Sequence, residues 1–176
     1  MRRCDLEHLI RAAGAVSGEG KLVIIGSQSV LGQFPDAPEA LLRSAEADVF
    51  AEGNPLASDL IDGAIGEGSP FHELFGYYAQ GVAAETAVLP DGWRTRLVPV
   101  ITDNTNGITG LCLEIHDLAI SKYIAGRPKD LDFTRLLARL EMVERNRLEH
   151  LLTRTDLPDE LRGVARKRIA ADFRID

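Results

Sequence analysis

The sequence predicts a mixed α+β fold, with a β-sheet flanked by helices and a helical C-terminal extension. Three features indicate this class. The chain opens with alternating helical and strand-like segments, its middle carries short strand-like runs separated by turn residues, and its last part is helical in pattern. A length of 176 residues is enough for one domain with a buried core. Neither an internal repeat nor a long linker divides the sequence.

The first part of the chain predicts helix, strand, helix, strand and helix in that order. Residues 5–16 carry apolar side chains at helical spacing, and KLVIIG is a β-branched run bounded by glycines, typical of a buried strand. SQSVLGQF is expected to open a helix or turn, and PEALLRS to form a short helix before the strand AEADVFA. An amphipathic helix over 54–66 has an apolar stripe of Leu56, Leu60, Ile61 and Ile65.

The second part predicts a small sheet followed by helices. Residues 69–108 contain three strand-like runs, GYYAQGV, ETAVLP and TRLVPVI, and DNTNGITG is expected to be a polar turn. CLEIHDLAISKYIAG is expected to be a helix that Gly126 caps and Pro128 ends. Helices then continue to the C-terminus, the first with a core-facing stripe of Phe133, Leu136, Leu137 and Leu140. We assign residues 1–140 to one domain and 141–176 to a helical extension packed on it.

Composition and charge limit the classes of function. The chain is 45% hydrophobic and 27% charged, and no apolar run approaches the ~20 residues needed to span a bilayer. The segment MRRCDLEHLIRAAG lacks the apolar region of a signal peptide. The two distant cysteines, Cys4 and Cys112, indicate a reducing compartment, so we expect a cytoplasmic protein with no membrane partner. A formal net charge of −7 argues against non-specific nucleic-acid binding over the whole surface, although arginines concentrate near the C-terminus.

Three groups of residues are candidates for chemistry. In VIIGSQ, Gly26 and Ser27 end a strand where backbone N–H groups and a hydroxyl suit a phosphate; an ordinary turn is the alternative. In SAEADVF, Glu46 and Asp48 lie on one face of a strand and suit Mg²⁺, or simply face solvent.

The third group lies in the predicted helix of residues 112–126 and at the beginning of the next helix. Lys122 lies in an otherwise apolar helix, and Asp130 begins an inward-facing stripe on the next one. The alternatives are a lysine that extends to the surface and acids, Asp130 and Asp132, that cap a helix. His72 is expected to be an ordinary surface or core histidine, with a substrate contact as the alternative, and Tyr77 and Tyr78 are expected to be core or rim aromatics.

These motifs together resemble the nucleotidyltransferase superfamily related to DNA polymerase beta. Its signature is a hydrophobic strand ending in Gly-Ser and then an acid-x-acid strand, here VIIGS and AEADV. LEIHDLAISKYIAGRPKDLDF is similar to the lysine helix and Arg/Lys-Asp segment of the small bacterial members related to AbiEii-type toxins. The resemblance covers roughly residues 6–140 and implies a nucleotidyltransferase-like sheet.

The resemblance implies a Mg²⁺-dependent transfer of a nucleotidyl group from a nucleoside triphosphate to a hydroxyl acceptor. Gly26 and Ser27 would hold the nucleotide phosphates, Glu46 and Asp48 would bind Mg²⁺, Lys122 would contact the triphosphate, and Asp130 would complete the polar site. The acceptor could be a tRNA, a protein or a small molecule, and a toxin-like role with an antitoxin protein as partner is implied by resemblance alone.

Two other functions remain open from the sequence. Many superfamily members use a third carboxylate, for which Glu85 and Asp103 are the candidates here. Without one, the chain could be a catalytically inactive binding module that keeps the nucleotidyltransferase fold. A homo-oligomeric scaffold, in which the C-terminal helices pair, is the third possibility.

Overall fold

The computed structural model describes residues 1–174 and forms two compact units. The first contains Met1–Thr86 and Leu97–Glu114, and the second contains Ala87–Arg96 and the described residues from 115 to 174. The domain boundary expected after residue 140 stays a prediction. Residues 175 and 176 of the expected extension lie outside the described part of the chain.

A mixed five-stranded sheet forms the centre of the first unit, counted over residues 1–174. Its strands are β1 (Lys21–Ile24), β2 (Glu46–Phe50), β3 (Tyr78–Gly81), β4 (Val98–Val100) and β5 (Thr109–Cys112). They lie in the order β3-β2-β1-β5-β4. The pairs β1–β2 and β4–β5 are antiparallel, whereas β1–β5 and β2–β3 are parallel. The chain from β2 to its parallel neighbour β3 is a crossover of more than ten residues, whereas β1 and its parallel neighbour β5 are separated in the chain by the other three strands.

Helices cover one identifiable face of this sheet. They are α1 (Arg3–Ser17), the single turn α2 (Val30–Gln33) and α3 (Pro55–Ile65), and the short helix α4 (Pro70–Phe75) contacts α3 and β3. Helix α3 packs on β2 and β3, and α1 packs beside α3. A Cβ added at Gly81 of β3 would overlap the carbonyl group of Ser58, so this side of the strand touches α3 closely. Val49 of β2 is the register partner of Gly81 and faces α3 as well.

The second unit is built around α5 (Ile115–Ala125), which packs against α6 (Pro128–Arg139), α7 (Arg145–Thr153) and α8 (Asp159–Asp172). Helix α5 is buried over most of its surface, and Leu118, Ile120 and Tyr123 are fully buried. Asp117 is also buried and accepts two hydrogen bonds of 2.8 Å from the Arg96 guanidinium. Among residues 1–174, none of the helices is both long and apolar enough to cross a membrane.

The predicted α+β class with a mixed sheet is confirmed, but several predicted elements are wrong. ETAVLP forms no strand; its first residues belong to a 3-10 turn, Ala84–Thr86. Conversely, β5 lies in a segment expected to be turn and helix, and α4 lies in a region expected to be sheet. Strand β5 is set by its neighbours in the sheet, β1 and β4.

Three leucines expected to face the core are exposed. Leu56 is 69% exposed and Leu60 is 52% exposed, because α3 buries the face that carries Ala57, Ile61 and Ile65 instead. Leu140 is 41% exposed, since α6 has already ended at Arg139. An apolar stripe thus gave the right helices but not always the buried side of each.

Candidate active site

Two carboxylates project from one face of β2. Glu46 and Asp48 are half-buried, whereas Ala47 and Val49, which alternate with them, are buried. Since Val49 faces α3 and strand side chains alternate, the two acids point to the opposite face of the sheet. The alternation AEADV therefore forms the strand that it predicts, with both acids on the same side.

The turn that follows β1 lies directly against Asp48. Gly26 has extended backbone angles (φ −81°, ψ −174°) that any residue can adopt, so its backbone alone does not require glycine. A Cβ added at Gly26 would overlap Oδ2 of Asp48 and lie 2.9 Å from its Cγ. The Ile25 N–H also donates to the Asp48 carbonyl at 3.1 Å, which continues the antiparallel pairing of β1 with β2. The fold thus brings the Gly-Ser turn and the second acid into contact, and glycine leaves room for the carboxylate.

Hydrogen bonds fix the Gly-Ser turn and tie it to the beginning of β2. The backbone N–H and the hydroxyl of Ser29 both donate to the Gly26 carbonyl, at 3.0 and 2.8 Å. The buried Gln28 amide donates from Nε2 to the Ser44 carbonyl at 3.1 Å, and the Ser44 hydroxyl accepts from the Glu46 N–H at 3.1 Å. The predicted helix or turn after the strand is the 3-10 turn Ser27–Ser29 continued by α2, and Ser27 in it is half-buried.

Tyr78 is a further candidate residue of the site, which no pattern in the sequence indicates. It is the register partner of Glu46 across the parallel pair β2–β3, and its hydroxyl donates to Oε2 of Glu46 at 3.1 Å. Burial raises the pKa of Tyr78 to about 12, helped by the charge and hydrogen bond of Glu46 and by the negative charges of Glu67 and Asp48. Only the pairing of β2 with β3 reveals this contact, because the two residues are far apart in sequence.

The acid pair offers oxygen donors of the kind that Mg²⁺ prefers. Over residues 1–174, no group of three or more His, Cys, Asp or Glu side chains is arranged to hold a metal ion. Glu85 and Asp103, the candidates for a third carboxylate, therefore form no such group with Glu46 and Asp48. Mg²⁺ commonly takes one or two carboxylates and completes its shell with waters and substrate phosphates, so two acids beside a glycine turn fit this ion.

A cavity of about 380 Å³ opens elsewhere on the first unit. Ala45 and Tyr77 line it together with Arg2 and Arg43. The Tyr77 hydroxyl is 2.8 Å from Nδ1 of His8 on α1, so Tyr77 faces α1. Since Tyr77 and Tyr78 are consecutive residues entering a strand, they point to opposite faces, and this cavity is separate from the acid pair.

Lys122 and Asp130, the other predicted site residues, lie in the second unit and contact each other. Asp130 is fully buried, with Oδ1 at 3.0 Å from Nζ of Lys122 and Oδ2 at 2.6 Å from Nε of Arg127. Nζ of Lys122 also lies 4.8 Å from the centre of the Phe133 ring. Burial alone would raise the pKa of Asp130, but the Arg127 hydrogen bond and the Lys122 charge outweigh it and lower that pKa.

Neither alternative expected for these residues describes them. The Lys122 side chain is only 12% exposed and so does not extend into solvent, and Asp130 bonds two cations rather than capping α6. Asp132, by contrast, is exposed and pairs with Arg135 at 3.0 Å on the surface of α6. Lys122 and Asp130, the two residues that the resemblance indicates, therefore form a buried ion pair, whereas Asp132 forms an exposed one.

Comparison with known proteins found no match among curated sequences or among solved structures. One protein family does match, over residues 4–175 and so over nearly the whole chain, and it is described as a nucleotidyltransferase of unknown function (DUF6036). This match agrees with the geometry of the site, in which the Gly-Ser turn after β1 lies against Asp48 of the neighbouring antiparallel strand β2. The chain belongs to this family of nucleotidyltransferases.

Proposed function

We propose that the protein is an active, Mg²⁺-dependent nucleotidyltransferase that uses a nucleoside triphosphate and a hydroxyl acceptor. The observation that carries the proposal is the contact between Gly26 and the Asp48 carboxylate. A nucleotidyl transfer needs phosphates and a cation at one place, and here the residues suited to each meet on adjacent strands.

Glu46 and Asp48 are the proposed Mg²⁺ ligands, and Gly26 and Ser27 are the proposed contacts to the phosphates. When bound, the ion would neutralise negative charge that develops on the phosphate oxygens. The short Gly-Ser turn, held by the Ser29 and Gln28 hydrogen bonds, presents backbone close to the acid pair without rearrangement. Preorganised groups of this kind stabilise charge without a reorganisation cost at the moment of reaction.

The proposed reaction is a nucleophilic substitution at phosphorus. The acceptor hydroxyl oxygen forms a bond to the α-phosphorus, the bond from that phosphorus to the bridging oxygen breaks, and pyrophosphate leaves. The hydroxyl proton passes to solvent or to a nearby carboxylate. By resemblance alone, Lys122 is the proposed contact to the triphosphate, and within the second unit Asp130 holds the Lys122 ammonium at 3.0 Å.

The acceptor and partners are proposed in the same way. A tRNA, a protein or a small hydroxylated molecule would each supply the attacking oxygen. The relation to AbiEii-type toxins, and with it an antitoxin partner, rests on the similarity of the segment from Leu113 to Phe133. Two free cysteines, Cys4 and Cys112, support the expected cytoplasmic location.

Calorimetric titration tests the proposal on the full chain. ATP, CTP, GTP and UTP are each titrated with and without Mg²⁺ into wild type, Asp48→Asn and Asp59→Asn. Asp59 is exposed on α3, so its substitution removes the same charge away from the acid pair. We expect at least one triphosphate to bind wild type and Asp59→Asn in a Mg²⁺-dependent manner, and Asp48→Asn to lose that dependence.

The rival function, an inactive binding module with the same fold, gives a different result. It predicts triphosphate binding that is indifferent to Mg²⁺ and to Asp48→Asn, or no triphosphate binding at all. Either result, obtained on folded wild-type protein, would overturn the proposed metal-dependent transfer. Release of pyrophosphate on addition of candidate acceptors then separates a binding protein from an enzyme.

A further inference from the structure

We propose that Tyr78 is a positioning residue for the metal-binding carboxylate of Glu46. Its hydroxyl holds one oxygen of that carboxylate and so orients the other for a divalent cation. The inference rests on the proposed function, because it concerns the same acid pair. It adds a residue outside the Gly-Ser and acid-x-acid motifs.

The geometry of the two strands fixes this contact. Glu46 and Tyr78 are the first residues of the parallel strands β2 and β3 and are register partners, so their side chains leave the sheet on the same face. The Tyr78 N–H donates to the Ala45 carbonyl at 3.0 Å, which anchors the backbone on the Tyr78 side. The hydroxyl then reaches Oε2 of Glu46 at 3.1 Å.

The Tyr78 ring is itself held in place by His72 of α4. The His72 ring packs on it with centroids 4.6 Å apart. His72 is fixed by two hydrogen bonds, from the Gly68 N–H to its Nδ1 at 3.0 Å and from its own N–H to the Ser69 hydroxyl at 3.2 Å. The packing of His72 restricts the orientation of the Tyr78 ring. The Tyr78 hydroxyl therefore donates from a fixed position and orients the Glu46 carboxylate that accepts the hydrogen bond.

A carboxylate ligand gains from such a partner in two ways. A long Glu side chain loses rotamer freedom when it binds a cation, and a hydrogen bond made beforehand removes part of that cost. Groups that hydrogen-bond to metal ligands fix their orientation, and their removal typically weakens metal affinity by about 10-fold or more. The Glu46 side chain is one methylene group longer than that of Asp48. It therefore needs this orientation more than Asp48, whose carboxylate already lies against Gly26.

The chain provides a matched control in the preceding residue. Tyr77 is also a tyrosine with a hydrogen-bonded hydroxyl, but it faces α1 and lies near His8. Tyr77→Phe and Tyr78→Phe therefore remove the same atom from neighbouring positions on opposite faces. We expect Mn²⁺, used as a spectroscopic substitute for Mg²⁺, to bind Tyr78→Phe about 10-fold more weakly than wild type. Tyr77→Phe should bind it as wild type does.

Electron paramagnetic resonance of free Mn²⁺ during titration measures these affinities directly, and circular dichroism checks that each variant is folded. Equal Mn²⁺ affinity in wild type and Tyr78→Phe would overturn the inference and leave the metal site intact. Failure of wild type to bind Mn²⁺, with or without a nucleoside triphosphate, would instead overturn the proposed function.

A second measurement does not depend on the folding of Tyr78→Phe. Mg²⁺ binding at Glu46 should change the near-ultraviolet absorbance of the tyrosine bonded to it, and Tyr77→Phe should keep that difference spectrum. Calorimetric binding of Mg²⁺ by wild type without any tyrosine difference spectrum would contradict a role for Tyr78 at the metal ligand. A merely structural Tyr78 gives no such spectral response.

Discussion

Replacing Gly26 by alanine tests the contact on which the candidate site depends. The backbone angles at Gly26 suit alanine, so any loss of stability comes from the new methyl group and not from backbone strain. That methyl would overlap Oδ2 of Asp48 and lie 2.9 Å from Cγ and 3.3 Å from Cβ, all closer than the 3.4–4 Å of ordinary contact. The carboxylate can rotate away, but Cβ cannot move without shifting β2.

The magnitude follows from two opposing effects. Overpacking of this kind costs roughly 1–3 kcal/mol. Alanine also restricts the unfolded chain, which stabilises the protein by roughly 0.4–1 kcal/mol. We therefore expect Gly26→Ala to lower the free energy of unfolding by about 1–2 kcal/mol in wild type. In the Asp48→Ala background most of the overlap is absent, so the same change should cost about 0 kcal/mol or stabilise slightly.

Urea denaturation of the four proteins of this double-mutant cycle measures the coupling. Gly63→Ala is the control, because a Cβ at Gly63 in α3 would meet no atom within 4 Å. It should raise stability by about 0.5–1 kcal/mol, the usual gain for alanine over glycine within a helix. If Gly26→Ala had the same effect with and without the Asp48 carboxylate, the two groups would not be in contact and the candidate site would lose its basis.

Two further predictions concern the rest of the fold. Because the folded-state pKa of Asp130 is lowered from 3.8, its ion pairs stabilise the protein above that pH, and this stability is lost as the pH falls below it. Asp130→Asn should reduce stability at pH 7 and flatten the loss at lower pH in denaturant titrations; an unchanged slope would show that Asp130 is not the titrating group. On α3, Leu60→Ser should change the free energy of unfolding by less than about 0.5 kcal/mol, whereas Ile61→Ala should cost about 2–5 kcal/mol. If Leu60→Ser cost as much as Ile61→Ala in thermal or urea unfolding, Leu60 would face the core as the sequence predicted.

The local patterns that predicted β1 and β2 correctly are those in which neighbours in sequence decide the structure. Four consecutive apolar residues before Gly26 indicate a buried strand, and alternation around Glu46 indicates a strand with one polar face. The motif order Gly-Ser, then acid-x-acid, also predicted the superfamily. What sequence could not give was the distance between the motifs, because that depends on the antiparallel pairing of β1 with β2.

Strand β5 was missed because its stability comes from the strands beside it. Thr109–Cys112 follows two turn-forming residues, Asn106 and Gly107, both with positive φ, and it includes a glycine. Local preference there favours a turn, yet the segment pairs with β1 on one side and β4 on the other. Tertiary pairing overrides propensity in so short a strand.

Helix α4 was missed although the sequence contained a signal for it. Ser69 accepts a hydrogen bond from the His72 N–H, and Pro70 occupies the first turn, a frequent arrangement at helix starts. The six-residue helix is too short to show an apolar period, so the flanking strand-like runs dominated the prediction. Tyr78 was missed for a related reason, since its role depends on which strand lies next to β3.

The segment Ala87–Arg96 belongs to the second unit although it lies in the chain between the two stretches of the first, and this limits how the protein can be cut into fragments. The backbone passes from one unit to the other after Thr86, after Arg96 and again after Glu114, so neither unit is a continuous stretch of chain. A fragment beginning at Ile115 would keep the buried Asp117 but lose Arg96, its guanidinium partner. An ionised group stranded in this way is strongly destabilising. Neither unit can therefore be excised or exchanged as one continuous segment of chain, and the family match likewise covers parts of both, from residue 4 to residue 175.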